Sequence, residues 1–315
     1  MQLVSILIPV LNEQNNLYIL KDDLENSIKS LRSKYHFEFI ILDNASEDNT
    51  GSISKKICSD SLEWKYIKYS RNFGYHNSLS GGLDYAKGDA VIFFQGDGQD
   101  PAEKIPEIIK KWEDGYEVVY GILNKRSDNF YLKTLFSKIF YTIFSFSSEI
   151  SIPKSATDFR LIDRKIIDNV KNLKEKNRYV RGLTHWVGFK QTYFIYDRKK
   201  RIADKSKAGF LFSLNYGIDA IVSFSALPLH LMLWAGAIVI LISISLILFF
   251  LTIFILEPNW VSNKPPAGIT SILILTLISL GFNTFFTGIL GLYIGKIYKE
   301  TQDRPLYIID EKINF

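Results

Sequence analysis

A short polar cluster in this chain combines the residue types of a cation-binding loop. It reads Gln-Gly-Asp-Gly-Gln-Asp-Pro at positions 95–101 and directly follows an apolar run at positions 90–94. The carboxylate of Asp97 and the side-chain amides of Gln95 and Gln99 offer oxygen ligands, which suit a hard divalent cation such as Mg²⁺ or Mn²⁺. The simpler interpretation is a polar loop that caps the following helix.

The elements that must position this cluster alternate between strand-like and helix-like patterns. Short apolar runs that predict strands occupy residues 3–10, 37–43, 65–70, 90–94 and 117–120. Helical patterns fall between them, at residues 14–32, 49–58, 74–86 and 102–112. Repeated βα units predict a parallel, doubly wound sheet. Ligands bind at the carboxyl edge of such a sheet, which is where the polar cluster falls.

Polar loops also follow the first three predicted strands. Asn12-Glu13 comes soon after the first strand, and the second ends in the acidic stretch that begins at Asp43. At the end of a buried strand, Asp43 is expected to accept hydrogen bonds from a base or ribose. For Ser46 and Asp48 we favour capping of the next helix. No GxGxxG motif follows the first strand, which disfavours a nicotinamide-cofactor domain.

Composition excludes several other classes. The lone Cys58 leaves no internal disulfide framework and is typical of a reducing compartment. The four histidines are scattered, and HExxH, GxSxG and P-loop motifs are absent. With a net charge of only +5, we expect no nucleic-acid partner. Residues 1–11 lack the basic start of a signal peptide and favour a first buried strand.

Two uncharged apolar segments near the carboxyl terminus predict a transmembrane hairpin. Residues 231–256 and 269–294 are each 26 residues long. At about 1.5 Å per residue, each helix is roughly 39 Å long, which exceeds the ~30 Å hydrocarbon core. Basic residues precede the first segment and follow the second: Arg198, Lys199, Lys200, Arg201, Lys205, Lys207, Lys296, Lys299 and Arg304. The positive-inside rule therefore places both flanks on the cytoplasmic side.

These features divide the chain into four predicted parts. They are a cytoplasmic catalytic domain (1–207), a juxtamembrane region (208–230), the hairpin (231–295) and a cytoplasmic carboxyl-terminal tail (296–315). Apolar residues at helical spacing in the juxtamembrane region predict a helix that lies on the membrane surface. A helix that faces the core of the soluble domain is the alternative.

Taken in order, the motifs resemble those of family 2 glycosyltransferases. The resemblance rests on IPVLNE at 8–13, DNASED at 43–48, SRNFG at 70–74 with Gly81-Gly82, and the cluster at 95–101. The segment DFRLIDR at 158–164 and the two spans narrow it to the polyisoprenyl-phosphate glycosyltransferases, the relatives of dolichol-phosphate mannose synthase and of bacterial undecaprenyl-phosphate glucosyltransferases. The match runs over nearly the whole chain.

The resemblance implies a fold, a reaction and a location. The fold is GT-A: a Rossmann-like α/β domain with a mostly parallel sheet, followed by interfacial helices and the two-helix hairpin. The reaction is the inverting transfer of a hexose from a nucleotide-sugar to polyprenyl phosphate, with a divalent metal (Mg²⁺ or Mn²⁺) on the donor diphosphate. UDP-glucose and undecaprenyl phosphate are the first expectations for the two substrates. Relatives also suggest a homotetramer in the inner membrane of a bacterium, where the product would serve surface glycan or lipopolysaccharide synthesis.

The resemblance also assigns roles to individual residues. The catalytic residues would be Asp158, Asp97 and Arg160. The nucleotide-sugar site would comprise Pro9, Asn12, Glu13, Asp43, Arg71, Gly74, Gln95, Gly96 and Arg126. Metal ligands would be Asp97 and Gln99. For Asp158, the alternative is a merely structural ion pair with Arg160 or Arg164.

The acceptor site is expected to be cationic. A phosphate monoester has a second pKa of about 6 and needs little help from a base, so charge neutralisation and in-line positioning are the harder tasks. Candidates for binding the lipid phosphate are Arg178, Arg181, Arg198, Arg201 and Lys205. The alternative is attraction to anionic lipid headgroups, which we favour for Lys199 and Lys200.

Two departures from the family pattern keep other interpretations open. Gln95 stands where the family often has Asp, which predicts weaker metal affinity and leaves open a non-catalytic membrane scaffold. Leu123 stands where relatives often have Arg, so that Arg126 could hold the donor phosphate alone. A processive polysaccharide synthase is disfavoured because His185-Trp186 lacks the QxxRW arrangement. Transfer from GDP-mannose or from a modified amino sugar also remains an alternative.

Overall fold

The computed structural model describes residues 1–124, 156–176, 178–199, 227–256 and 268–315. The chain divides into two compact units. The first comprises Met1–Tyr216 and Asp303–Phe315, and the second comprises Gly217–Gln302.

The first unit is built on an eight-stranded sheet with the strand order β7-β5-β6-β4-β1-β2-β3-β8. The strands are β1 (Gln2–Val10), β2 (Tyr35–Asp43), β3 (Trp64–Tyr69), β4 (Ala90–Phe93), β5 (Val118–Leu123), β6 (Ala156–Asp163), β7 (Gln191–Tyr196) and β8 (Ile309–Ile313). β1 pairs in parallel with β2 and β4, β2 with β3, and β5 with β7. The predicted, mostly parallel α/β sheet is therefore confirmed.

In the described residues, six shorter α-helices accompany the sheet. They are α1 (Leu17–Ile28), α2 (Thr50–Asp60), α3 (Tyr75–Tyr85), α4 (Ile105–Glu113), α5 (Arg164–Asn172) and α6 (Val180–Trp186). α1 buries Leu17, Leu20, Leu24 and Ile28, which lie along one helical face. β4 is buried at all four of its positions, which explains why it reads as a continuous apolar run.

Three strands lie outside the predicted pattern. β6 runs antiparallel between β4 and β5 and carries the segment that begins at Asp158. β7 extends the sheet beyond β5. β8 lies in the segment that we expected to be a tail, and it pairs antiparallel with β3. The ion pairs Lys68–Asp310 (2.9 Å) and Lys55–Glu311 (2.6 Å) accompany this pairing.

The described part of the second unit contains two long helices, α7 (Leu227–Leu256) and α8 (Gly268–Thr301). Both are long and apolar enough to cross a membrane, with candidate spans at Pro228–Ser245 and Ile278–Thr301. Large apolar side chains such as Leu233 and Ile294 are exposed on them. The helix predicted in the juxtamembrane region falls almost wholly outside the described residues.

Candidate active site

The loops after β1 and β2 interlock at the carboxyl edge of the sheet. The backbone N–H of Asn12 donates to Ser46 Oγ (2.9 Å), and Asn12 Oδ1 accepts from the N–H of Glu47 (2.8 Å). The N–H of Glu13 donates to Thr50 Oγ1 (2.8 Å). Asn12 has a φ of 56°, a left-handed conformation that asparagine tolerates better than most residues. Asn12 and Glu13 are thus brought to the loop that begins at Asp43.

Asp43 lies behind this loop instead of on its surface. It is fully buried, and its carboxylate accepts from the Tyr66 hydroxyl (2.7 Å) and from the N–H of Ser46 (2.8 Å). One carboxylate oxygen therefore bonds to β3 and the other to the loop, and the expectation that Asp43 accepts hydrogen bonds from a base or ribose stays a prediction. Asp48 does cap the next helix, accepting from the N–H of Thr50 (2.9 Å). Ser46 does not, since its hydroxyl serves the β1 loop.

The loop that carries Asp97 packs directly on the end of β1. The N–H of Gly96 donates to the carbonyl of Pro9 at 3.3 Å. A Cβ at Gly96 would lie 2.6 Å from Val10 Cγ1 and 2.9 Å from the Pro9 oxygen, so only glycine fits this approach. Asp97 Oδ1 accepts from the N–H of Gln99 at 3.1 Å. The close contact between Gly96 and Pro9 sets the position of the whole cluster.

The donor set of this loop fits a cation that is shared with a diphosphate. Asp97 supplies one carboxylate, and Gln99 supplies an amide. Among the described residues, no group of three or more His, Cys, Asp or Glu side chains could hold a metal by itself. Mg²⁺ is commonly bound by one or two carboxylates together with substrate phosphates and water, so the single carboxylate of Asp97 is compatible with such a site, and its role as a metal ligand stays a prediction.

The segment after β7 crosses this loop. Arg198 Nη2 lies 3.5 Å from Gln95 Oε1, at the long limit of a hydrogen bond. The N–H of Lys199 donates to the carbonyl of Gln99 (3.0 Å), and its Nζ pairs with Glu103 (2.9 Å). Arg198 therefore lies beside the candidate cation loop. Lys199 is engaged by a carboxylate of its own domain, which corrects the expectation that it mainly faces lipid headgroups.

A buried hydrogen-bond chain connects the loop with β6. Asp100 accepts from the N–H of Gln95 (3.2 Å), and its other oxygen lies 3.1 Å from the Tyr196 hydroxyl. That hydroxyl also lies 3.0 Å from Thr157 Oγ1, one residue before Asp158. Burial raises the pKa of Asp100 to about 7. Sequence reasoning missed Asp100 and Tyr196 because Tyr196 lies in a strand that the pattern did not predict.

Asp158 and Arg181 form a two-point ion pair. Arg181 Nε and Nη2 donate to the two carboxylate oxygens at 2.9 and 2.7 Å. Burial by itself would raise the pKa of Asp158, but the charge and hydrogen bonds of Arg181 outweigh it and hold that pKa well below its ordinary value. The Asp158 and Arg181 side chains remain 13% and 18% exposed. Asp158 is therefore paired with Arg181, and not with Arg160 or Arg164.

The strand register puts this pair at the ligand edge. Phe93 of β4 lies opposite Arg160 of β6 in the antiparallel ladder. Asp158 lies two residues further toward the carboxyl end of β4, level with Gln95. The loops from β1, β2 and β4 and the Asp158–Arg181 pair therefore occupy the same edge of the sheet.

The amino-terminal part of the chain shows which protein family it belongs to. Residues 5–171, more than half of the chain, match the family model described as Glycosyl transferase family 2. The chain belongs to glycosyl transferase family 2. This transferase is 36% identical to the glycosyltransferase YkcC of Bacillus subtilis over 307 residues, which cover 98% of this chain and 93% of that protein.

Two further comparisons extend the likeness. The SfII prophage-derived bactoprenol glucosyl transferase of Shigella flexneri is 33% identical over 306 residues, covering 97% of each chain. Among solved structures, glucosyl-3-phosphoglycerate synthase of Mycobacterium tuberculosis, in complex with Mn²⁺, UDP and glucosyl-3-phosphoglycerate, is 15% identical with a TM-score of 0.43. That alignment covers 70% of this chain and 78% of the synthase, a likeness too distant to transfer substrates or metals.

Arg160 of the transferase is buried beneath the Asp158–Arg181 pair and bonds to the segments that carry it. It is fully buried, and its guanidinium donates to the carbonyl of Thr157 (2.7 Å), to Thr184 Oγ1 (2.5 Å) and to the carbonyl of Arg181 (3.4 Å). Burial lowers its pKa to about 10, so it stays charged at neutral pH. The expected catalytic contact is corrected to a positioning role, because a fully buried side chain cannot touch a substrate.

Other predicted residues of the transferase are dispersed. Arg178 donates to the backbone carbonyls of Val170 (2.7 Å), Leu173 and Glu175 (3.1 Å). Its guanidinium therefore caps the end of α5, which corrects the expectation that Arg178 binds the acceptor phosphate. Arg71 is exposed over the ring of Phe73 (4.4 Å), in the loop before Gly74. The remaining candidates lie outside the described residues: Arg126, Arg201 and Lys205.

One neighbour of the ion pair was not predicted. The His76 ring packs against the Tyr179 ring, with 5.2 Å between centroids. Burial lowers the pKa of His76 to about 4, so it is neutral near pH 7. The signal in the sequence is its place two residues after the SRNFG block, at the start of α3.

Proposed function

We propose that this glycosyltransferase moves glucose from UDP-glucose to a polyprenyl phosphate, with undecaprenyl phosphate as the acceptor. The observation that carries the proposal is the meeting of the Asp97 loop and the Asp158–Arg181 pair at one sheet edge. The donor diphosphate needs the Asp97 loop, and the anionic acceptor needs the positive charge of Arg181. Full-length relatives named as bactoprenol glucosyl transferases support this substrate pair.

The proposed chemistry is an inverting displacement. A phosphate oxygen of the acceptor attacks the anomeric carbon, and the bond from that carbon to the nucleoside diphosphate breaks. The acceptor is largely ionised near neutral pH, so the protein mainly aligns two anions and neutralises their charge. Asp97 and Gln99 would hold a divalent cation, which would stabilise the leaving diphosphate.

Other residues of the site would orient the substrates. The interlocked loop at Asn12 and the close contact at Gly96 give the donor a preformed wall. Arg198 lies beside the Asp97 loop, and Arg181 lies beside Asp158. Arginine suits both places because its planar guanidinium binds phosphate in a two-point manner.

We further propose that the two long helices hold the catalytic unit at the cytoplasmic face of a bacterial inner membrane. Their length and composition support spanning, and the basic flanks support the orientation. Polyprenyl phosphate lies in that interface, and nucleotide-sugars are cytosolic. A transferase anchored there reaches both substrates.

The test is transfer of labelled glucose by the purified full-length protein in detergent. The reaction contains UDP-glucose and undecaprenyl phosphate, with and without Mn²⁺. We expect a lipid-linked product that requires the cation, and a loss of about 10²-fold or more in kcat/KM for Asp97→Asn. The matched control is Asp89→Asn at the opposite end of β4, where Asp89 accepts from the N–H of Leu3 (2.9 Å).

Two results would contradict the proposal. Absence of lipid-linked product from UDP-glucose would exclude this substrate pair, and trials with other nucleotide-sugars would then separate a different donor from a non-catalytic scaffold. Full activity of a folded Asp97→Asn protein would exclude the cation assignment.

A further inference from the structure

The geometry of the ion pair between Asp158 and Arg181 makes the Asp158 carboxylate a poor proton acceptor. Both oxygens of Asp158 accept a guanidinium N–H, at 2.9 and 2.7 Å. A carboxylate held in this way is a poor proton acceptor, because protonation would break a charge-assisted, two-point contact. Use of Asp158 as a base therefore requires Arg181 to change partner.

The surroundings of Arg181 allow such a change. Its backbone carbonyl accepts from Arg160 Nη1 (3.4 Å) and from Thr184 Oγ1 (3.0 Å), which fixes the first turn of α6 in place. Its side chain is 18% exposed, so it is partly open to solvent, and a change of partner needs only side-chain rotation and no movement of the helix. The anchored main chain and the partly exposed side chain together make a group that can swing between two acceptors.

The proposed acceptor has the chemistry to take this guanidinium. A phosphate monoester carries close to two negative charges above its second pKa of about 6, whereas the carboxylate carries one. Arginine also binds phosphate oxygens in the same two-point manner as carboxylate oxygens. A phosphate beside Arg181 thus competes directly with Asp158.

We propose that Arg181 is a lock on Asp158 that the acceptor phosphate opens. This deepens the proposed function and rests on it. Before the acceptor arrives, Arg181 occupies Asp158, so the site does not activate water against the bound donor. When the phosphate takes Arg181, Asp158 becomes available to the reacting groups. The lock directs the sugar to the lipid instead of to water.

The reaction that the lock suppresses is hydrolysis of the donor. A water oxygen would attack the anomeric carbon, and its proton would pass to the Asp158 carboxylate. The bond from that carbon to the diphosphate would break. The products would be free glucose and UDP, with the proton later released to solvent.

The test measures UDP release from UDP-glucose by the full-length protein without any lipid acceptor. We expect Arg181→Gln to raise acceptor-free hydrolysis about tenfold, a change equivalent to roughly 1.4 kcal/mol in the barrier. Transfer to undecaprenyl phosphate should fall in the same variant. The matched control is Arg32→Gln, which removes a two-point arginine–carboxylate pair with Glu63 (2.8 and 2.7 Å) at the opposite edge of the sheet.

A double variant separates the lock from a merely structural role. Asp158→Asn combined with Arg181→Gln should return hydrolysis to the wild-type level, because the released base is gone. Unchanged hydrolysis in folded Arg181→Gln protein would overturn the lock, as would hydrolysis that persists in the double variant. If Arg181→Gln does not fold, Arg181→Lys keeps the charge, loses the two-point contact and serves the same comparison.

The two proposals fail in different ways. A wild-type protein that makes no lipid-linked glucose refutes the proposed function, whatever Arg181 does. A wild-type protein that makes the product, together with an Arg181→Gln variant that releases no additional UDP, refutes only the lock.

Discussion

The hydroxyl of Tyr196 offers a sharp test of how burial sets the value of a hydrogen bond. It lies 3.1 Å from Asp100 Oδ1, and both residues are almost fully buried, with exposed fractions of 2% and 3%. Tyr35 makes the same kind of contact with Glu113, at 2.5 Å, but the Glu113 side chain is 33% exposed. Replacing each tyrosine by phenylalanine removes one phenol–carboxyl hydrogen bond, and at Tyr196 it also removes the buried contact with Thr157 Oγ1 (3.0 Å), which adds to the cost predicted from burial.

Bond length and burial predict opposite orders for the loss of stability in these two variants. The shorter contact would make Tyr35→Phe the more costly change. Burial predicts the reverse, because Asp100 would lose a partner that water cannot replace, at a cost of about 1–3 kcal/mol. At Glu113 water replaces the phenol, and we expect a cost of about 0.5–1 kcal/mol.

Thermal unfolding of the full-length protein in detergent measures the difference. A change of 1 kcal/mol shifts Tm by roughly 2–4 °C in domains of 150–250 residues, so a loss of 2 kcal/mol predicts a decrease of about 4–8 °C for Tyr196→Phe. We also expect a higher KM for the donor in this variant, because Asp100 holds the Gln95 end of the Asp97 loop. A larger decrease in Tm for Tyr35→Phe would refute the reasoning.

Two further predictions follow from close packing and from charge. Gly96→Ala would place a Cβ 2.6 Å from Val10 Cγ1; we expect a stability loss of about 1–3 kcal/mol and, from ~1 Å of loop displacement, about 10²-fold lower kcat/KM. Val10→Ala in the same protein should restore part of that activity, and no loss in Gly96→Ala would contradict the packing argument. Burial lowers the pKa of His185 to about 3, so its stabilising contribution is complete above pH 6.5 and is lost as the pH falls. At pH 5 the loss is about 2 kcal/mol, and His185→Gln should make the decrease in Tm between pH 7 and pH 5 smaller without removing it, because His76 contributes in the same direction.

The local sequence pattern was enough to predict the strands in the parallel half of the sheet. β1, β2 and β4 are buried on both faces, so their apolar runs are unbroken and easy to recognise. The turn-forming residues that end these runs lie at the carboxyl edge, which is why Asn12, Gly96 and Asp97 were expected at one site. The helices between them differ from the prediction by a few residues at most, because each has an apolar face of helical period.

Strands that depend on distant partners were not predictable in this way. β8 reads Ile-Asp-Glu-Lys-Ile, with three charged residues in five, and becomes a strand because it pairs with the edge of β3 and forms ion pairs there. β6 carries Asp158 and Arg160 among its apolar residues, so it reads as a motif and not as a strand.

The sequence by itself determined the class of this protein: an α/β transferase domain, its polar loops and two long apolar helices. Those features follow from residue type and short-range period, which act within one turn or one strand. Only the tertiary structure decided which groups meet. It paired Asp158 with Arg181 across 23 positions and Asp100 with Tyr196 across 96, and it buried Arg160 behind them. Such partners are selected by the packing of whole strands against one another, and no local pattern records that selection.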